Sequence, residues 1–249
     1  MDSRHPTRNE DPLTFHPALD LGPIWSPSGK EIALTSTRNG NTDLFVKAAD
    51  GSGQVVYLVA LPLLEFVTDW SKDGKHLLYD RQDSETHADI WYLTQKADGD
   101  GFDAAPFLAT KFSERSAKLS PDGRHVAYVS NESGENQVYV RPFPEGGSKW
   151  QISHTVGTQP RWRRDGRELF FIEGSTLIAV PVSLTSSFSA GTPTKLFQSP
   201  GLGEGAVPQY DVSADGQRFV TRESVGGIPT IHVVENWFTE FTDEQGGAQ

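Results

Sequence analysis

The sequence has no cysteine among its 249 residues and only one methionine. Without cysteine there can be no disulfide bonds, thiolate metal sites or cysteine nucleophiles. It also has no apolar run approaching the roughly 20 residues of a membrane-spanning helix. The longest apolar window, residues 55–67, is broken by Pro62 and Glu65. We therefore expect no insertion into a membrane.

Basic residues are scarce as well, with 22 Lys and Arg against 33 Asp and Glu and a formal net charge of -11. A chain of this charge repels a phosphate backbone, so nucleic acid is not an expected partner. The first ten residues contain no apolar segment of the kind found in secretory signals. As given, the chain is expected in the cytoplasm, unless it is a domain excised from a membrane-anchored or periplasmic protein.

A ten-residue hairpin motif recurs along the whole chain. Its clearest copy is Leu119-Ser-Pro-Asp-Gly-Arg-His-Val-Ala-Tyr128, in which a Pro-Asp-Gly turn joins two β runs. Five copies occur, with turn glycines at Gly29, Gly74, Gly123, Gly166 and Gly216. The steps of 43 to 50 residues between them indicate a repeat architecture.

Each repeat contains further β runs, and its second strand is apolar at consecutive positions. Val126-Ala127-Tyr128 is one example, and this pattern predicts a strand buried on both faces. Four antiparallel strands per repeat are typical of a propeller blade. The prediction is an all-β fold, a five-bladed β-propeller of four-stranded antiparallel blades over residues 12–241, between flexible tails at 1–11 and 242–249.

The two ends of the chain predict how such a ring closes. The last repeat has three clear strands, and Pro12-Leu-Thr-Phe15 precedes the first hairpin like an unpaired fourth strand. If this N-terminal strand completes the last blade, the ring has no free sheet edge and the protein is a monomer. In the alternative, the five repeats are part of a ring of six to eight blades, whose open faces would force oligomerisation.

The repeat unit resembles that of the TolB-like, WD-repeat-like β-propellers, and the match runs from Leu13 to Phe241. Residues 130–144 and 158–171 are similar to the propeller that follows the kinase domain in many bacterial serine/threonine kinases. The chain departs from the pattern at Ser28 and at Arg163-Arg164, and it contains no kinase catalytic loop. The resemblance therefore implies a fold, and kinase activity is not carried over.

The residues that most readily suggest chemistry have structural interpretations. The turn aspartates occupy one hairpin position in successive repeats, so they are spread around the ring and cap their own turns: Asp73, Asp122, Asp165 and Asp215. There is no Gly-x-Ser-x-Gly elbow and no paired histidine spacing, so we predict no catalytic residue, metal or cofactor. His76 and His125 lie at equivalent positions, which favours a repeat-related surface role.

When the five repeats are aligned on their turn glycines, one column of the alignment varies in charge between copies. Five residues before each turn glycine stand Ile24, Asp69, Lys118, Arg161 and Asp211. On the innermost strand these side chains should lie near the axial channel. Two interpretations stay open for Asp69, Lys118, Arg161 and Asp211: mutual ion pairing that plugs the channel, or a binding site for a small ligand or peptide.

Rigid blades that present variable loops favour a non-catalytic scaffold. We expect it to bind a protein or peptide through one face of the ring, as a sensor or interaction module of a signalling protein. The alternative function is that of a TolB-like propeller hydrolase or lyase acting on an oligosaccharide or peptide.

Overall fold

The computed structural model describes residues 12–59, 63–99, 101–185, 187–203, 208–225 and 228–235, except for the side chains of 223–225 and 228–235. All regular elements in these ranges are strands, so the all-β prediction is confirmed. No helix in the described part is long and apolar enough to cross a membrane. The tails predicted at 1–11 and 242–249 lie outside the described residues.

The first three sheets have four antiparallel strands each, in sequence order. The first contains β1 (Asp20–Trp25), β2 (Glu31–Ser36), β3 (Asp43–Ala48) and β4 (Val56–Val59). The second contains β5 (Glu65–Trp70), β6 (His76–Asp83), β7 (His87–Gln95) and β8 (Phe102–Leu108). The third contains β9 (Glu114–Leu119), β10 (His125–Ser130), β11 (Gln137–Pro142) and β12 (Trp150–Gln151).

The last two sheets differ in strand number. The fourth contains β13 (Thr158–Trp162), β14 (Glu168–Glu173), β15 (Thr176–Ser183), β16 (Ser189–Ala190) and β17 (Thr194–Gln198), and both of its short last strands pair with β15. In the described residues the fifth contains β18 (Tyr210–Val212), β19 (Arg218–Val225) and β20 (Ile228–Glu235). Antiparallel four-stranded sheets are thus the repeating unit, as the sequence predicts.

The hairpin between the first two strands of each sheet has the predicted turn chemistry. All five turn glycines have positive φ, between 68° and 77°, where a side chain would be strained. In the second sheet the hydroxyl of Ser71 donates to Asp73 over 2.7 Å, and the Lys75 amide donates to the same carboxylate over 3.1 Å. Ser120 and Asp122 repeat this bond at 2.6 Å. The turn aspartates therefore cap their own turns.

Consecutive sheets pack face to face through four apolar clusters. The first and second sheets share a cluster around Leu77 and Tyr79, and the second and third share one around Tyr128. Phe171 lies between the third and fourth sheets, and Phe219 packs on the fourth sheet from the fifth. The second strands of the second, third and fourth sheets each contribute to the clusters on both sides, which explains their unbroken apolar sequence.

The N-terminal strand predicted at Pro12–Phe15 is not present. Residues 12–19 form no strand, the Phe15 side chain is 84% exposed, and the described part of the last sheet has three strands. Pro12 and Pro17 lack the amide donors that a strand needs. The Thr14 hydroxyl instead binds Asp20, which also forms a 3.0 Å ion pair with Arg38 of the same sheet. Ring closure through this segment is therefore not seen in the described residues.

Candidate functional site

The predicted column lies on the first strand of every sheet, where successive sheets are joined. Ile24, Asp69, Lys118, Arg161 and Asp211 belong to β1, β5, β9, β13 and β18. Four of these strands are irregular at or just before the column residue, because their pairing with the second strand shifts by one or more residues. Ser116 and Gln159 have φ of 58° and 53° at these irregularities, and Gly22 has 57°. Such bulges free backbone groups from the sheet and redirect side chains.

The freed groups bind side chains of the neighbouring sheet. Lys118 reaches from the third sheet to the carbonyl oxygen of Thr68 in the second sheet. In the opposite direction, the Leu119 amide donates to the Asp69 carboxylate over 2.7 Å. The Ser116 amide donates to Asp80 of β6 over 2.9 Å. Three bonds, two of them with a carboxylate acceptor and one with an ammonium donor, therefore clamp the second sheet to the third.

Other boundaries have clamps of the same kind with neutral partners. The Val67 amide donates to the Thr35 hydroxyl over 3.1 Å, which joins the second sheet to the first. The indole of Trp162 donates to the Lys118 carbonyl over 2.9 Å, which joins the fourth sheet to the third. The Tyr210 hydroxyl donates to the Gln159 carbonyl over 2.9 Å, which joins the fifth sheet to the fourth. The first strands therefore hold neighbouring sheets together.

The expected pairing between column acids and bases is not present. Among the described residues, no ion pair within 4.0 Å joins Asp69 or Asp211 to Lys118 or Arg161. Lys118 and Asp69 bind backbone groups of the facing sheet instead, and Asp211 accepts from the adjacent Val212 amide at 2.9 Å. The Arg161 side chain makes no hydrogen bond or ion pair with a described residue. Among the described residues, the guanidinium of Arg161 is therefore the one charged group of the column that is not engaged, and the site interpretation stays a prediction.

The charges of this region still influence one another. Removal from water raises the pKa of Asp80 to about 7, although the Ser116 amide and the nearby Lys118 favour its charged form. Removal from water and the proximity of Arg161 lower the pKa of Lys118 to about 8, while Asp69, Asp80 and Asp211 act in the opposite direction. The pKa values of Asp80 and Lys118 therefore both lie near neutral pH.

A second polar cluster, which the sequence reading missed, lies between the first and second sheets. Glu65 is 0% exposed, and neither carboxylate oxygen has a hydrogen-bond partner among the described residues. Burial and the neighbouring Asp43 raise its pKa to about 8, against an opposing effect of Arg81. Asp89 and Glu114 form the equivalent buried pair at the next boundary. Comparison of the strand starts in successive repeats would have found both pairs.

The remaining sequence candidates have no catalytic arrangement. No group of three or more His, Asp or Glu side chains that could hold a metal occurs within the described ranges. His76 and His125 were expected on the surface, but both are in aromatic contacts, with ring distances of 5.3 Å to Phe143 and 5.6 Å to Phe188. Burial lowers the pKa of both histidines. Their repeated position therefore marks an inter-sheet packing site.

Comparison with known proteins supports the fold. No family model matches the chain. The crystal structure of TolB from Acinetobacter baumannii superposes with a TM-score of 0.66 at 18% identity, covering 90% of this chain and 53% of that one. The Tol-Pal system protein TolB of Hydrogenovibrio crunogenus is 36% identical over 66 residues, which is 26% of this chain and 15% of the relative.

A second curated relative is the Tricorn protease homolog 1 of Streptomyces coelicolor. It is 27% identical over 136 residues, which is 46% of this chain and 13% of the relative. The chain therefore spans about half the length of the TolB structure and matches only short portions of the curated relatives. These similarities are to a TolB-like, propeller-type fold.

Proposed function

We propose that this chain is a non-catalytic β-propeller scaffold that binds a protein or peptide partner through one face of the ring. The Arg161 guanidinium is the observation that carries the proposal. It lies in the channel column and has no hydrogen bond or ion pair to a described residue, while Lys118 and Asp69 bind the backbone of a neighbouring sheet. A fixed frame with an available guanidinium suits recognition of a carboxylate on a partner.

The relatives are consistent with such a role. TolB is named as a protein of the Tol-Pal system, and both a TolB structure and a TolB sequence are similar to parts of this chain. By this proposal the chain serves as an interaction module, and the resemblance to kinase-linked propellers suggests a signalling protein as its context.

In the same proposal the ring has five blades and closes when the last sheet packs on the first. Trp25 of the first sheet is 61% exposed, and Leu21 beside it is also exposed. At the equivalent position, Trp162 donates to a carbonyl of the preceding sheet. Trp25 is therefore suited to pack on a preceding sheet as well. A closed ring predicts a monomer in solution, and a stable higher oligomer in light scattering would contradict it.

A hydrolase or lyase activity is the alternative, and it derives from the propellers found in peptidases and sugar lyases. The Streptomyces relative is named as a protease homolog, but the match covers 13% of its length. We favour the scaffold because Asp69 and Lys118 of the column join neighbouring sheets, which leaves Arg161 as the column residue that can contact a partner.

The test compares Arg161→Gln with Lys118→Met. Peptides selected from a displayed random library on the wild-type protein are expected to bind Arg161→Gln at least about tenfold more weakly, with an unchanged melting temperature. Lys118→Met is expected to lower stability, because it leaves the Thr68 carbonyl without its partner.

Two results would count against the scaffold. One is equal binding of the selected peptides to wild type and Arg161→Gln. The other is turnover of chromogenic peptide or glycoside substrates by the wild-type protein, with or without added divalent metal. A thermal-shift panel of metals and sugars provides an independent measurement, because a true ligand stabilises the folded state.

A further inference from the structure

The outer grooves between consecutive sheets are filled by aromatic side chains from one recurring loop. Between the second and third sheets the filling side chain is Phe143, which follows β11 and is 5% exposed. Its ring centroid lies 5.3 Å from His76, 5.1 Å from Tyr92 and 5.4 Å from Phe107, all in the second sheet. The loop after the third strand of one sheet thus packs a phenylalanine on the preceding sheet.

The next boundary repeats this arrangement. Phe188 follows β15, is 4% exposed, and fills the groove between the third and fourth sheets. Its ring lies 5.6 Å from His125 and 5.0 Å from Trp150 of the third sheet. His76 and His125 stand at the same register, two residues after their turn glycines. The two phenylalanines therefore occupy equivalent grooves.

Between the first and second sheets the equivalent groove is open. It has a volume of about 780 Å³, and its apolar lining includes Val46, Val56, Leu58, Trp70 and Phe102. Val46 and Val56 are paired across β3 and β4, as Val140 and Trp150 are paired across β11 and β12. The groove thus has the same position as the filled ones.

The segment that would fill this groove is instead taken up by strand pairing and a tight turn. It is a turn in which the Lys96 amide donates to the Gly101 carbonyl over 3.0 Å. The pairing of β7 with β8 continues to Gln95 and Phe102 on either side of it. The turn itself, Lys96-Ala-Asp-Gly-Asp-Gly101, contains no aromatic residue. The aromatic residue that follows the turn, Phe102, is only partly buried and lines the groove without closing it.

We propose that this open groove is a second binding site, which takes an aromatic side chain of a partner peptide flanked by basic residues. The aromatic preference follows from the two equivalent grooves, each of which holds a phenylalanine of this chain. The basic preference follows from the rim, where Glu31 and Asp73 outnumber Lys72, and from the net charge of -11. The site lies on the outer part of the molecule and does not depend on the channel proposal.

The test uses fluorescence polarisation with a labelled peptide, Gly-Lys-Arg-Phe-Lys-Arg-Gly, and its Phe-to-Ala version. Wild type is expected to bind the phenylalanine peptide at least about tenfold more tightly than the alanine peptide, because burial of a phenylalanine ring is worth that factor or more. Val56→Trp should abolish this preference, since the equivalent Trp150 helps to fill the next groove.

The control is Thr194→Trp, which places the same side chain at the matching position of the fourth sheet, where Thr194 pairs with Ala179 and is exposed. It should retain the tenfold preference. Val56 is 56% exposed, so the substitution should fold, and Val56→Asp offers a second way to spoil the apolar wall. Arg161→Gln should also retain the preference, which separates this site from the channel.

Three outcomes would overturn the proposal. The first is equal affinity of wild type for the two peptides. The second is an unchanged preference in both Val56 variants. The third is a wild-type dimer in light scattering that Val56→Trp converts to a monomer, which would make the groove an interface between two copies of this chain.

Discussion

The buried carboxyl group of Glu65 makes stability depend on pH in a way that one substitution should remove. The folded state raises its pKa from 4.5 to about 8, so the folded protein holds a proton that the unfolded chain releases. Stability from this group is fully present below pH 4.5 and is lost as the pH rises towards 8. Glu65→Gln keeps the shape of the side chain and cannot ionise.

The magnitude follows from the size of the pKa shift. Each pH unit within the window between the unfolded and folded pKa values changes the free energy of unfolding by about 1.4 kcal/mol. Between pH 5 and pH 8 the wild type should therefore lose about 3 kcal/mol relative to Glu65→Gln. The absence of any hydrogen-bond partner for either oxygen supports a value of this order, since nothing in the described surroundings stabilises the ionised form except the charge of Arg81.

Urea unfolding at the two pH values measures the effect. The difference in unfolding free energy between Glu65→Gln and wild type should be small at pH 5 and should grow by about 3 kcal/mol at pH 8. Glu145→Gln, on an exposed turn, serves as the matched control and should show no such growth. The same Glu65→Gln difference at both pH values would refute the reasoning, because the titration of other groups cancels in the comparison.

Three further substitutions test the contacts between sheets by thermal and urea unfolding. Asp69→Asn should cost about 1–3 kcal/mol, because it weakens a bond from the next sheet. Asp211→Asn should cost under about 0.5 kcal/mol, because among the described residues Asp211 accepts only from the adjacent Val212 amide. Equal losses would contradict the clamp. Thr35→Val should cost about 1–3 kcal/mol, because it removes a bond between the first and second sheets. Thr221→Val should be neutral or stabilising, because the buried hydroxyl of Thr221 has no partner among the described groups. The reverse order would be inconsistent with the bonding described. Phe143→Ala should cost about 3–5 kcal/mol, and a loss under about 1 kcal/mol would show that the groove it fills is not tightly packed.

The hairpins and the buried second strands follow directly from the sequence, because their causes are local. A glycine at each turn and an apolar triplet three to five residues later suffice to place Gly123 and Val126–Tyr128. The column was also placed correctly on the first strands, because alternation along a strand is a local property. The N-terminal strand was wrong, since the pattern at residues 12–15 does not reveal whether a partner strand is near.

The contacts of the column could not be predicted from sequence. Lys118 binds a carbonyl fifty positions earlier in the chain, and the bulges near the column are marked by positive φ at Ser116 and Gln159, which are not glycine. Nothing in their residue types predicts that conformation. The open groove likewise became visible only when equivalent boundaries were compared in space, because Phe143 and Phe188 stand at different distances from their turn glycines.

The hydrogen-bond clamps between sheets also determine which segment of this protein can be moved as a unit. Each of them runs from one sequence repeat to the next, and the second strands of the three middle sheets contribute apolar side chains to two clusters each. A single excised repeat would lose half of its core and leave its bulge with unpaired backbone groups. The exchange of segments between related proteins should therefore succeed when the segment consists of two neighbouring half-repeats with the sheet boundary between them intact. It should fail when the segment is a whole repeat cut at its two ends.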